Sequence, residues 1–341
     1  MSGASLSAPS AVIFGCAGTA LGADERAFFR DADPLGFILF QRNCTDPGQV
    51  RALVAELRQS VGRGDAPVLI DQEGGRVARL RPPHWRKYPS GAQIAALGTA
   101  AAAAARTAAR LIADDLDTLG ITVDCLPVLD LSIPGADAVI GDRSYGADPA
   151  RVAELGRAAA EGLLAGGVLP VIKHIPGHGR ATVDSHFACP VVDLPRGELD
   201  VSDFAPFGSL RDMPWAMTAH VVYSAIDRVR PATLSPTAIG DVIRGAIGFE
   251  GVLVSDDLSM QALGGALAER ARGALAAGCD LALHCNGKLA EMLEVAGAVR
   301  PLDAAAARRV AAAEARRVAG RQGADRAALE RQLDAWFGAL A

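Results

Sequence analysis

Short aliphatic and β-branched runs recur along the chain and alternate with longer stretches dominated by alanine. Eight runs have strand character: 11–16 (AVIFGC), 36–40 (GFILF), 67–71 (PVLID), 121–129 (ITVDCLPVL), 168–173 (VLPVIK), 215–220 (WAMTAH), 251–256 (GVLVSD) and 279–284 (CDLALH). Between them the pattern predicts helices over 47–60, 99–118, 149–165, 236–245 and 264–277, with 303–319 and 325–340 closing the chain. Strands that alternate with helices of this length read as repeated βα units and a parallel sheet.

Eight such units can close into a barrel or spread into an open, doubly wound sheet. The polar residues separate the two. At strand after strand the last residue or the next few are chemically active: Asp71, Asp130, Lys173 and His174, His220, Asp256, and His284. An open sheet concentrates its site at one crevice, whereas a barrel gathers residues from nearly every strand end around one mouth. The predicted fold is therefore α/β, a (β/α)8 TIM-type barrel. Neither a linker nor a longer internal repeat divides the chain, so residues 1–341 are expected to form a single catalytic domain with additional C-terminal helices.

Composition narrows the function classes. Half of the residues are apolar and 5% aromatic, with a formal net charge of -5. The arginines are scattered along helices, so no basic footprint points to nucleic acid. No Lys or Arg precedes a long apolar run in residues 1–20 and no stretch is suited to span a bilayer, which reads as a cytoplasmic protein without a membrane partner. The six cysteines, Cys16, Cys44, Cys125, Cys189, Cys279 and Cys285, fall singly, without CxxC pairs, and are expected as free thiols packed as small hydrophobes.

Three stretches carry the chemistry. Residues 173–186, KHIPGHGRATVDSH, follow a strand and hold three histidines, an aspartate, a lysine and an arginine. Pro176, Gly177 and Gly179 exclude a regular helix, so this is a loop over the strand ends. His174, His178 and His186 could combine with Asp256 as metal ligands, but the HxxxH spacing suits a metal on an intact helix, and here the helix is broken. Asp184 and His186 stand two apart, and a carboxylate accepting from an imidazole fixes its tautomer and raises its basicity. By itself the D-x-H pair reads as a solvated loop pair capping a turn. In GVLVSDDLSM, 251–260, the strand runs directly into Ser255-Asp256-Asp257, where a carboxylate can attack an anomeric carbon or bind a metal; Asp256 is read as the nucleophile and Asp257 as its support. In VLIDQEGGRVARL, 68–80, Asp71 ends a strand, Gly74 and Gly75 permit a tight turn, and Arg76 and Arg79 follow; a carboxylate there can take sugar hydroxyls, and one of the two arginines serves equally well in a structural salt bridge.

Taken together, IDQEGGRVARL, PVLDL, IGDRSYGADP, KHIPGHGRATVDSH, MTAHVVYSAID and SDDLSM resemble the family 3 glycoside hydrolases, specifically the single-domain bacterial β-N-acetylhexosaminidases of peptidoglycan recycling. The resemblance runs from about residue 11 to 290 in motif order. It implies a retaining exo-β-N-acetylglucosaminidase that removes N-acetylglucosamine from muropeptides, with Asp256 as nucleophile, His186 as general acid/base assisted by Asp184, and Asp71, Arg79, Arg143, Lys173 and His174 binding the sugar. It also implies a monomer with no cofactor and no metal. The family's usual phenylalanine in KHFPGH is Ile175 here, a change expected to alter the packing of the loop. A metal-dependent barrel hydrolase, a glycosyl phosphorylase of the same family and a non-catalytic sugar-binding protein remain as rival readings.

Overall fold

The computed structural model describes residues 8–338. Eight parallel strands form a closed barrel: β1 (Ser10–Gly15), β2 (Pro34–Leu39), β3 (Val68–Ile70), β4 (Val123–Asp124), β5 (Leu169–Ile175), β6 (Trp215–Thr218), β7 (Val252–Asp257) and β8 (Leu281–His284). Each pairs with its neighbours in sequence, and β8 returns to β1 through the registers Val12↔Ala282, Ile13↔Leu283 and Phe14↔His284. This is the TIM-type barrel expected from the pattern, and each predicted run overlaps one barrel strand.

The helices form where local signals start them. Pro47–Ser60 and Pro149–Ala165 match their predicted spans because Asp46 and Asp148 accept from backbone N–H groups of the first turn while proline occupies the first helical position. Ala101–Thr118 follows a short 3-10 turn, and the predicted 236–245 helix has π-type hydrogen bonding over Ala238–Ala246. The stretch 264–277 becomes helical only at Leu267, and 303–319 is observed as Ala304–Gly320. The last helix runs Arg326–Phe337, with the final positions of the predicted 325–340 outside the described residues. Helices at Ala23–Ala32 and Leu289–Ala296 were not marked by the sequence pattern.

The alanine and glycine content finds its use between Ala101–Thr118 and Pro149–Ala165. A Cβ on Gly162 would meet the Arg106 carbonyl oxygen at 2.4 Å and one on Gly166 would meet the Ala113 Cβ at 2.2 Å, so only small residues allow these helices to lie this close. All six cysteines are free, and four of them, Cys16, Cys125, Cys279 and Cys285, are buried. No helix among the described residues is long and apolar enough to cross a membrane.

The strand ends position the site. In β5 every residue is buried, including Lys173 and His174, and the core beneath is closed by side chains such as Val171, Ile172, Trp215 and Leu253. After β3 the chain forms a small hairpin, Gln72–Gly74 against Val77–Ala78. Its turn needs Gly74 and Gly75 at φ +95 and +56, and side chains there would strike the Pro89 carbonyl oxygen at 2.3 Å and the Ser90 Cβ at 2.6 Å.

Candidate active site

A cavity of about 530 Å³ opens at the C-terminal mouth of the barrel, and Asp71, Arg79, Arg143, Lys173, His174, Asp184, His186 and Asp256 all line it. Every site residue expected from the sequence is thus brought to one place.

The floor is a buried charge network. Lys173 Nζ lies 2.9 Å from Asp71 Oδ1 and 2.6 Å from Glu73 Oε1. Arg79 Nη2 donates to Asp71 Oδ2 at 2.9 Å, and Arg143 forms a two-pronged pair with Glu73, Nε to Oε2 and Nη2 to Oε1, both at 2.8 Å. Burial by itself would raise the carboxyl pKa values, but the neighbouring cations outweigh it: Lys173 and Arg79 hold Asp71 well below the usual range, and Arg143 and Lys173 bring Glu73 down to about 2. Burial likewise disfavours the Lys173 ammonium, yet Asp71 and Glu73 push its pKa above the normal lysine value. The network therefore stays fully ionised at neutral pH. Three cations face two carboxylates, which leaves N–H groups with surplus positive charge that can meet ligand oxygens.

Glu73 was not singled out in the sequence. In DQEGG nothing distinguishes it from a surface glutamate, and only the hairpin brings it beneath Lys173 and Arg143. Gln72 has a similar hidden part: its side-chain oxygen accepts from Arg79 N at 2.8 Å and Leu80 N at 3.0 Å, which orients the arginine-bearing segment. Arg79 also lies over the Phe40 ring, 5.1 Å from its centroid. Arg76 is the structural arginine of the pair, bound to Asp142 at 2.8 Å and to the carbonyls of Ala138 and Val139 at 2.7 and 2.6 Å; it pins the segment that forms the cavity rim.

Asp130, His220 and His284, also noted at strand ends, do not line the cavity. Asp130 is a buried bracket: its Oδ2 lies 2.6 Å from His174 Nδ1, and its Oδ1 accepts from His178 N at 2.6 Å. That bond leaves the His174 Nε2 edge for a ligand. His220 Nδ1 lies 2.7 Å from Thr233 Oγ1 and its Nε2 lies 3.0 Å from the Asp257 carbonyl oxygen, fixing the end of β7 from below.

The two adjacent aspartates of β7 differ sharply. Asp257 accepts from Ser259 N and Cys285 N, each at 3.1 Å, and from Ser259 Oγ at 2.5 Å, so it ties β7 to the segment after β8. Asp256 accepts from Asp257 N at 2.8 Å. Burial opposes its ionisation, but His220, His174 and that backbone bond hold its pKa below the ordinary value, so it is a half-buried, charged carboxylate at neutral pH.

Over the mouth, His186 Nδ1 lies 2.7 Å from Asp184 Oδ1, and His186 N donates to the same oxygen at 2.9 Å. The His186 side chain is 60% exposed, in contrast to the buried floor. Backbone turns with Gly179 close against Leu131, and the Tyr223 hydroxyl donating to the Gly177 carbonyl, bring the loop across the strand ends. The buried Ile175 stands at the base of this loop.

The metal-site reading is poorly served by the donor atoms. Among the described residues no group of three His, Cys, Asp or Glu side chains is arranged to hold an ion.

Comparison with known proteins agrees with this geometry. Residues 13–320 match the family model for the glycosyl hydrolase family 3 N terminal domain. A curated relative from Methylococcus capsulatus, named Beta-hexosaminidase, is 41% identical over 80% of this chain and 82% of its own. The crystal structure of NagZ from Neisseria gonorrhoeae in complex with N-trifluoroacetyl-D-glucosamine superposes with a TM-score of 0.85 at 32% identity, covering 96% of this chain and 98% of that one. A second structure of that protein, in complex with zinc ion, gives a TM-score of 0.82 at 30% identity and covers 98% of both chains. With its family match, curated relatives and barrel-mouth site in agreement, the chain belongs to glycosyl hydrolase family 3 and is a glycoside hydrolase.

Proposed function

We propose that this hydrolase is a cytoplasmic retaining exo-β-N-acetylglucosaminidase that releases terminal N-acetylglucosamine from peptidoglycan fragments, with Asp256 as nucleophile and the Asp184–His186 pair as acid/base. The observation that carries this reading is the pairing, around one cavity, of a half-buried ionised carboxylate with an exposed imidazole whose Nδ1 is held by a carboxylate at 2.7 Å. The relatives named Beta-hexosaminidase and the N-trifluoroacetyl-D-glucosamine bound by the Neisseria protein favour an N-acylated amino sugar as the substrate.

In the first displacement Asp256 attacks the anomeric carbon while His186 Nε2 gives its proton to the departing oxygen; one C–O bond forms as the other breaks. In the second, His186 takes a proton from water, which attacks the same carbon and frees the Asp256 carboxylate. Asp184 accepts a hydrogen bond from Nδ1–H throughout, which fixes the tautomer and supports the positive imidazolium. Asp71, Arg79, Lys173 and His174 bind hydroxyls of the sugar, and Arg143 holds the rim while neutralising Glu73.

Most glycosidases use a second carboxyl group where this chain has a histidine. A muropeptide brings its own carboxylates, and an imidazole avoids adding another negative charge beside them.

The test is the leaving-group dependence of kcat/KM, which reports bond cleavage but not the later hydrolysis step. His186→Ala should reduce kcat/KM by about 10²–10⁴-fold on N-acetylglucosaminides with basic leaving groups and far less on those with good ones, the range expected for a lost general acid. Equal loss on both classes would sink the acid role.

A further inference from the structure

Ser185 sits between Asp184 and His186 at the cavity but is far more deeply buried than His186. Its residue is only 3% exposed, whereas the His186 side chain is 60% exposed. Its Oγ lies 3.0 Å from His178 Nε2, a buried imidazole anchored in turn by His178 N donating to Asp130 Oδ1 at 2.6 Å. Burial, aided by the nearby His174, lowers the His178 pKa to about 4, so the ring is neutral at pH 7 and can exchange one hydrogen bond with a hydroxyl without bringing charge beneath the loop.

The same turn is fastened along its backbone. Ala262 N donates to the Ser185 carbonyl at 3.1 Å and Gln261 N to the His186 carbonyl at 3.4 Å. Gln261 and Ala262 belong to the segment that leaves β7 immediately after Asp256 and Asp257. The turn carrying the imidazole is therefore braced twice: sideways onto the segment that follows the strand carrying Asp256, and downward through Ser185 onto the His178–Asp130 bracket.

We propose that Ser185, through its hydrogen bond to His178, is a positioning residue that docks the Asp184–His186 turn over the cavity and sets the imidazole against Asp256. This rests on the assignment of His186 as the acid/base. Several features follow physically. Asp184 and His186 are held to each other by bonds local to the turn, so their pairing survives without Ser185. What Ser185 controls is where the pair sits, because its hydroxyl is the side-chain link from the turn to the buried floor. His178, one of the three histidines of the loop, is thereby a fixed post beneath the acid/base.

The proposal predicts a selective defect. Ser185→Ala removes one hydrogen bond and leaves a buried ring nitrogen unpaired, a loss that corresponds to about tenfold in the population of the docked turn. On N-acetylglucosaminides with basic leaving groups kcat/KM should fall about tenfold. On those with good leaving groups it should stay within about twofold, which also shows that the variant is folded. Ser185→Thr, which keeps the hydroxyl, should recover most of the loss.

A double-mutant cycle with His186→Ala separates this proposal from the reading beneath it. If Ser185 acts through His186, Ser185→Ala should cost nothing further once His186 is gone. Uniform loss on both substrate classes, no loss on either, or full additivity in the cycle would overturn the positioning role. A His186→Ala variant without leaving-group selectivity would instead overturn the acid/base assignment itself.

Discussion

Glu73→Gln offers a quantitative test of the cavity floor. Glu73 is buried and accepts from Arg143 through both oxygens at 2.8 Å and from Lys173 at 2.6 Å. Glutamine keeps the shape but not the charge, and its amide presents N–H groups to a guanidinium that has only N–H to offer. Removing one partner of such a buried pair costs about 3–5 kcal/mol. The carboxyl's own titration gives an independent figure. Its pKa falls from the usual 4.5 to about 2 on folding, a displacement worth about 3 kcal/mol. Because the folded value is the lower one, this stabilisation is complete above the unfolded value and is lost as pH falls through the folded one.

Urea unfolding followed by tryptophan fluorescence at neutral pH and at steps down towards pH 2 would read both quantities. The variant should be less stable at neutral pH, and its deficit should shrink by about 3 kcal/mol on acidification, since only the wild type has this carboxylate to protonate. Asp71 titrates still lower and contributes to both proteins. A deficit that stays constant from neutral to acid pH would refute the charge network as the source of the stabilisation.

Other outcomes follow from the same geometry. Asp256→Asn should abolish covalent trapping by a 2-fluoro glycosyl inhibitor, whereas Asp257→Asn should retain trapping while lowering stability by about 1–3 kcal/mol through its lost tie to Ser259 and Cys285; mass spectrometry finding the label on Asp257 would reverse their roles. Gly179→Ala would drive a methyl to 2.2 Å from the Leu131 carbonyl oxygen, so the loop should become markedly more sensitive to limited proteolysis, and unchanged cleavage would contradict its closeness to Leu131. Turnover should be insensitive to a chelator, and activity lost in chelator and restored by zinc or manganese would favour the metal-dependent rival.

The barrel was legible because each strand is a short apolar run ending in a polar residue, a pattern that specifies both a parallel sheet and the side of it that carries chemistry. Asp46-Pro47 and Asp148-Pro149 mark their helix starts so strongly that both spans were readable to the residue. Leu267 was harder, because the glycines of 264–265 delay a helix that the pattern would begin earlier. In the site, Asp71, Lys173, His174 and Asp256 stand at strand ends and their convergence was readable from the fold. Glu73 was not, since its partner Arg143 lies far along the chain and meets it only once the hairpin folds back. The Asp184–His186 contact is local to the turn, but its docking on Gln261 and Ala262 is a meeting of two loops that no periodicity encodes. The same holds for His178, a candidate ligand by residue type whose ring nitrogen is instead turned to Ser185.

The contrast between a floor built on strand ends and an imidazole borne on an exposed turn has an evolutionary consequence. Substitutions in the floor disturb barrel packing and buried charge together, so under the proposed function recognition of the sugar ring is costly to change. The turn can be resurfaced at positions such as Val183 and Phe187, which are exposed, without touching Asp71 or Lys173. Under the proposed function, preference for what is attached to the sugar can therefore change on this scaffold while the sugar itself stays the same.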